Sequence, residues 1–410
     1  MKVIVLGAGL QGIATTLDLA WNKNIEKIML ADFVIQKAEA VAKLCNDKYG
    51  HRVDTAYCDV NDRKALVELI KGYDVAINLV NYYYNCSIME ACLEAKVNYI
   101  DIGGLYVETI KQVKYDQQFK DAGLLCIIGI GGTPGLTNVC AEWASQQLDT
   151  IETINFYCGS DDWSVSNKTF EVTYSIETIM DEFHMKPIQY LDGKYVELEP
   201  RSGAVNVKYP GPIGQQQAYY LMHSEVGTVA ESYKEKGLNN CTYRIGFAED
   251  TLEKLSFLHG IGFSKLEDME LGSEKIRPAK ILQKLLESQP DDPNATINDC
   301  DIIKTEVIGT KDGEKVKYEL DVVCRPVKEW PELMGAQVYI GGAPAWAAEL
   351  MRTGIIDKKG ALAPEKCIPP IPFFEEAAKR EIYVRATKTV LLGTKSWDEA
   401  MKKELIDQGR

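Results

Sequence analysis

The sequence predicts an α/β protein: a Rossmann domain with a doubly wound parallel sheet, followed by an α+β substrate and dimerisation domain with a mostly antiparallel sheet. Three observations predict it. From residue 1 to about 130, short apolar runs alternate regularly with stretches of helical periodicity. A glycine-rich turn directly follows the first of those runs. After Pro134-Gly135 the texture shifts to segments rich in Tyr, Thr and Val, with a hairpin-turn sequence at Thr310-Lys311-Asp312-Gly313-Glu314.

In chain order, strands are expected at 2–6, 27–31, 53–57, 74–79, 97–101 and 124–128, with helices near 10–22, 35–48, 62–71, 85–95 and 106–121. Strands alternating with helices imply right-handed crossovers and a parallel sheet, and six strands suit two mononucleotide-binding halves. A helical stretch at 136–148 leads into strands at 153–159, 193–197, 204–208, 242–246, 302–309 and 316–324. Helices near 175–183, 225–236, 249–257 and 276–287 intersperse them. A helix is expected to start at Pro344 and end at Gly354, and another to cover 372–379. The expected division is 1–134, 135–343 and a helical tail, 344–410, that packs back on the Rossmann domain.

The 410 residues are 46% hydrophobic and 26% charged, with a formal net charge of −14. That acidity argues against general affinity for nucleic acid or anionic membrane, since both need a basic face. No run of 18 apolar residues suggests a membrane-spanning helix, and the opening residues lack a signal-peptide pattern. A cytoplasmic location is expected. The 11 scattered cysteines form no CxxC pair and read as reduced core residues; with four histidines, no metal site is expected.

The turn Gly7-Ala8-Gly9-Leu10-Gln11-Gly12 sits between a strand and a helix. There, Gly7 allows the tight turn, Gly9 admits a pyrophosphate to the backbone, and Gly12 lets helix and strand pack closely. The helix N-terminus turns its N–H groups toward the phosphates. Asp32, 20 positions beyond Gly12, suits the adenosine ribose hydroxyls and repels a 2′-phosphate. No Arg follows it at 33–35, so NAD is the expected cofactor. Asp59 and Val60, after the third strand, suit the adenine edge, and Leu79, Val80 and Asn81 follow the fourth.

Ligands of an open parallel sheet lie beyond the carboxyl ends of its strands. Those ends carry Asn81-Tyr82-Tyr83-Tyr84, Asp101-Ile102-Gly103-Gly104 and Gly131-Gly132-Thr133-Pro134-Gly135. Polar and aromatic groups beside glycines suit a pocket for substrate and nicotinamide. Asp101 could neutralise a substrate amine, while Tyr84, Gly131, Thr133 and Asn138 are candidate substrate contacts.

The segments MKVIVLGAGLQG, DVAINLVNYYYN, YIDIGG and IGIGGTPGLTNVCAEWA resemble the saccharopine dehydrogenase-like family, with lysine 6-dehydrogenases the most similar members. The resemblance continues through YSIETIMDE, YLMHSEVGT, CTYRIGFAE and ELMRTGIIDKKGALAPEKCI. It implies hydride transfer to NAD from the carbon bearing an amine, in lysine or a lysine-derived amino acid. Alternatives are a saccharopine- or carboxynorspermidine-type enzyme acting on a secondary amine, and a non-catalytic NAD-binding regulator. Asp101 matches the family's acidic position and, with His223 and Tyr82, is expected to be catalytic. Ser224 belongs to the same His223-Ser224-Glu225 motif. Arg244, and secondarily Arg201, could clamp a substrate carboxylate. Glu177 and Glu225 read as helix-face acids. One departure stands out: Gly341-Gly342-Ala343-Pro344-Ala345 replaces an Arg-Thr-Thr-like segment. A small-molecule amino-acid partner and a homodimer are implied.

Overall fold

The structure is a computed structural model that describes residues 1–290 and 292–392. The first domain is built from β1 (Lys2–Leu6), α1 (Leu10–Trp21), β2 (Lys27–Asp32), α2 (Ile35–Tyr49), β3 (Val53–Tyr57) and α3 (Arg63–Ile70). It continues with β4 (Val75–Asn78), α4 (Asn85–Ala95), β5 (Asn98–Asp101), α5 (Tyr106–Gln112), α6 (Asp116–Asp121) and β6 (Leu125–Ile127). The strands are parallel in the order β6-β5-β4-β1-β2-β3. Central β1 and β4 are apolar runs because helices cover both their faces. Register matters for function: Leu6 pairs with Ala31 and with Asn78, and Asn78 with Asp101. Gly7, Asp32, Leu79 and Ile102 therefore all emerge at one edge of the sheet. The single helix expected over 106–121 is instead α5 and α6 separated by a 3₁₀ turn.

The second domain contains α7 (Leu136–Ser145), β7 (Thr150–Asp162), α8 (Ile176–His184), β8 (Ile188–Leu191), β9 (Lys194–Glu197), β10 (Val205–Lys208) and β11 (Gln215–Tyr220). Next come α9 (Glu225–Tyr233), β12 (Asn240–Gly246), α10 (Glu249–Gly260), β13 (Met269–Leu271), β14 (Glu274–Ile276), α11 (Pro278–Glu287), β15 (Asp299–Lys311) and β16 (Glu314–Cys324). The sheet is antiparallel except where β12 runs parallel to β7. One face packs toward the first domain: Phe156, Cys158, Tyr243, Ile245 and Ile303 share a core with Leu136 and Val139 of α7. The other face carries Tyr209, Ala218, Cys300 and Ile302. Strand β11 escaped the sequence reading because Gln-Gln-Gln breaks any apolar alternation.

The remaining elements are α12 (Gly335–Arg352), β17 (Gly360–Leu362), α13 (Pro364–Cys367), α14 (Pro370–Ala378) and β18 (Val384–Leu391). Pro344 lies inside α12 rather than at a helix start, so residue 344 divides a helix. Gly341 is the reason α12 can lie against α1: a Cβ there would sit 2.6 Å from the Ala14 Cβ and 2.8 Å from the Gln11 carbonyl oxygen. The Thr15 hydroxyl donates to the Gly341 carbonyl at 2.6 Å. Beneath this contact Arg380 pairs with fully buried Asp18. β17 adds a seventh strand beside β6, but β18 pairs with β16. The segment expected as an all-helical tail thus feeds one strand to each sheet; residues 393–410 of it lie outside the described residues.

Candidate active site

The glycine turn is shaped by sterics. Gly7 has φ +105°, and a Cβ there would meet the Leu79 carbonyl at 3.1 Å; one on Gly12 would overlap the Gly7 carbonyl oxygen. Nothing lies within 4 Å of the Cβ position at Gly9, which caps α1 without a side-chain hydrogen bond. The first N–H groups of α1 are left for a ligand, and a diphosphate has room to approach them. Leu10 is exposed beside them, and the buried Gln11 amide lacks a hydrogen-bond partner. Asp32 accepts from Ala8 N and Val34 N, both at 2.7 Å, and so braces the turn. Asp59 accepts from Asn61, and Val60 is half-buried behind β3. Leu79, Val80 and Asn81 border the turn, with Asn81 bonded to Glu177 of α8 at 3.2 Å.

Several expected substrate or catalytic residues are held in buried hydrogen-bond ties within the protein. Asp101 is buried, and its oxygens accept from Gly103 N and Gly129 N at 2.8 Å and from Gln112 at 2.5 Å. It knots the loops after β5 and β6, with both carboxylate oxygens engaged by protein donors; burial raises its pKa. Asn138 spans Gly135 N and Glu365, at 3.0 and 2.8 Å, joining α7 to α13. Gly131 receives a bond from Leu136 N at 2.9 Å within the same tight loop. The Tyr82 hydroxyl donates to fully buried Asp181, which also takes a bond from Tyr83 at 3.0 Å and pairs with Arg277. This buried cluster locks α8 onto the β4 loop, and burial pushes the Tyr82 phenol far up. Tyr84 packs partly buried in the first domain.

A buried histidine and two buried acids converge elsewhere. His223 is buried, its ring stacked on Tyr243 with centroids 4.0 Å apart and planes 18° from parallel. Its Nδ1 pairs with Glu225 at the start of α9. That leaves Nε2 as the ring nitrogen without a partner among the described residues. Glu225 in turn accepts from Thr137 at 3.2 Å, and Thr133 meets the Tyr243 hydroxyl at 3.4 Å. The His223 cluster therefore abuts the loop that leaves β6 at the carboxyl edge. Burial pulls the His223 pKa down, but Glu225 and Glu182 outweigh it and leave it raised. Burial pushes Glu182 up to about 7, against the opposing influence of His223 and a 2.8 Å bond from Tyr174. The sequence reading did not single out Glu182 and took Glu225 for a helix-face acid; both are buried with His223. The signal for Glu225 was its place two residues from His223, in the first turn of a helix, where a side chain can fold back on the preceding segment.

Arg244 is the clearest misplacement. Successive strand residues point to opposite faces, so with Tyr243 against His223, Arg244 lies behind the sheet. There its guanidinium contacts Gly203 O at 3.0 Å, Thr242 at 2.9 Å and the Tyr220 hydroxyl. It lies on the face of the sheet opposite His223. Arg201 packs over the Phe183 ring and bonds Ser256 of α10 at 3.2 Å. Ser224 is buried between His223 and Glu225 with its hydroxyl unpartnered. The Gly341–Ala345 segment lies in the α1–α12 contact.

Room for a dinucleotide and a buried His–Glu pair lie along one sheet edge, and the fold is that of the two-domain nicotinamide-dependent dehydrogenases. Residues 3–127 match the family described as the saccharopine dehydrogenase NADP binding domain, and 131–382 the saccharopine dehydrogenase C-terminal domain. The chain belongs to the saccharopine dehydrogenase family, and is an NAD(P)-dependent oxidoreductase acting on C–N bonds. It is 27% identical over 363 residues to carboxyaminopropylagmatine dehydrogenase of a Synechocystis species, covering 85% of this chain and 88% of the relative. It is also 27% identical over 404 residues to carboxynorspermidine synthase of Vibrio alginolyticus, covering 92% and 94%. Apo saccharopine dehydrogenase (L-Glu forming) of Saccharomyces cerevisiae shares the fold, with a TM-score of 0.70 at 17% identity over 95% of this chain and 99% of that one. No helix among the described residues is long and apolar enough to cross a membrane.

Proposed function

We propose that this enzyme makes or cleaves a secondary amine joining a carboxylate-bearing unit to a polyamine-like amine, with His223 as the proton-transfer group. The observation that carries the chemistry is the buried His223–Glu225 pair with Nε2 free beside the β6 loop. The named relatives favour a polyamine-related secondary amine over free lysine, so the lysine reading is the second choice. Buried Glu182 and Glu225 add negative potential that suits a cationic amine.

When bound, the nicotinamide ring accepts or donates the hydride at the carbon bearing nitrogen. Glu225 fixes the His223 tautomer and orientation, and Nε2 takes the proton from the substrate ammonium before hydride leaves. Once that proton has passed to solvent, the same nitrogen takes a proton from the water that adds to the iminium carbon and delivers it to the amine nitrogen, and the C–N bond breaks to leave a carbonyl and a free amine. In the synthetic direction it returns that proton. Tyr243 holds the ring flat from one side. Asp32, negative and partly exposed at the end of β2, supports NAD over NADP, together with the absence of Arg at 33–35. A homodimer is supported by β18, an exposed strand on the edge of the large sheet among the described residues; light scattering would test it.

Incubation with NAD and carboxynorspermidine, followed by mass spectrometry, tests the reading. A released primary amine without ammonia is expected. Stoichiometric ammonia from lysine would establish the second reading instead.

A further inference from the structure

A cleft of about 480 Å³ opens between the domains. Asn81, Tyr83 and Tyr84 of the β4 loop form one wall, and α11 of the second domain forms much of the other. Asn81 lies two residues beyond Leu79, whose carbonyl abuts the Gly7 turn, so the cleft adjoins the glycine turn. Lys280, Gln283, Lys284 and Glu287 all line it. Their spacing makes one stripe on α11, about 10 Å long from Lys280 to Glu287. The opposite side of the helix buries Ala279 and Leu282. At its far end, Glu287 pairs with Lys37 at 3.4 Å, in the first turn of α2 beyond Asp32. The stripe thus runs from the β4 loop to the start of α2, across the same edge that a dinucleotide must span.

Charge gives the stripe a purpose. The first turn of α1 holds no acidic residue, and its last turn no basic one; the segment Gly7-Ala8-Gly9-Leu10-Gln11-Gly12 offers a diphosphate backbone N–H groups but no cation. Arg277 at the cleft is already held by Asp181. Among the described residues Lys280 makes no close ion pair, although its charge acts on Glu177 in the same cleft, while Lys284 reaches Glu287 only at 4.0 Å with its side chain 83% exposed. The acids that line the cleft are mostly engaged: Glu287 with Lys37 and Gln283, and Glu177 with Asn81, while Asp268 is exposed.

We infer that Lys280 and Lys284 form the second-domain half of the cofactor's diphosphate site, so that the dinucleotide is held between α11 and the glycine turn. The inference rests on the first domain binding a nicotinamide dinucleotide. Its consequence is that cofactor bridges the domains: two phosphate charges meet backbone N–H groups on one side and two ammonium groups on the other. Such attraction across a solvent-filled cleft is screened by salt.

The test is binding to the intact protein, without turnover. NADH and NADPH are titrated by fluorescence, and ADP and adenosine by calorimetry, at low and high salt. The K280Q/K284Q variant is expected to bind NADH and ADP about tenfold more weakly at low salt, with a flattened salt dependence. Adenosine affinity should not change. K280E/K284E should weaken NADH further. Both lysines are exposed, and an unchanged melting temperature confirms folding. If wild type binds NADH and K280Q/K284Q binds it equally, with the same salt slope, the inference is overturned. Failure of wild type to bind either dinucleotide would overturn the underlying cofactor reading as well, and the two failures are distinct.

Discussion

Replacing Glu182 by Gln removes a buried charge while keeping the shape of the side chain and an acceptor for Tyr174. Folding raises this carboxyl from its ordinary 4.5 to about 7, because burial disfavours the anion. Between those pH values the folded protein holds one proton that the unfolded chain has lost. Wild-type stability therefore falls as pH rises from about 4.5 to 7, by at most ~3 kcal/mol from this group. Glu182→Gln has no such proton to lose. Its stability relative to wild type should be near parity at pH 4.5 and rise to a gain of up to ~3 kcal/mol by pH 8. For a domain of this size the gain corresponds to about 5–10 °C in melting temperature. Thermal unfolding of both proteins across pH 4.5 to 8 reads it directly. The same variant should turn over more slowly, since the negative potential beside His223 is gone. A melting difference that stays constant with pH would refute the reasoning, because a pH-independent offset means that Glu182 does not titrate in the folded state.

Glu225→Gln and His223→Gln should each lower kcat by roughly 10²–10⁴, while NADH affinity by fluorescence titration stays close to wild type. Asp32→Ala should weaken NAD binding and narrow the preference over NADP, measured as the ratio of the two kcat/KM values; an unchanged ratio removes Asp32 from cofactor choice. Asp101→Asn should act on folding, not chemistry. With one carboxylate acceptor lost to buried donors, it should cost about 1–3 kcal/mol in denaturant unfolding and leave turnover per folded molecule nearly intact.

The first domain was legible because its signals are local. A strand, a turn and a helix fall within 21 residues of the start, and glycine spacing states what the backbone must do. The site was legible only in part, for reasons of geometry. His223 was visible as a motif residue, but its partners Glu182 and Tyr243 reach it only through tertiary packing. Asp101 looked catalytic because acids at strand ends often are; the three donors that occupy it come from Gly103, Gly129 and Gln112, which sequence spacing does not bring together. Arg244 is different, since strand alternation alone separates it from Tyr243 once that residue is known to face the core. Pro344 suggested a helix start by local preference, yet packing of Gly341 on α1 carries α12 through it.

The bond that is broken separates the two enzyme readings, and a single substrate panel decides between them. Lysine, ornithine, saccharopine and carboxynorspermidine are each offered with NAD, following absorbance at 340 nm and free ammonia together. A carboxyalkyl polyamine is expected to raise the absorbance without releasing ammonia. Oxidation of lysine with one ammonia per NADH, and no reaction with the secondary amines, would contradict the secondary-amine reading.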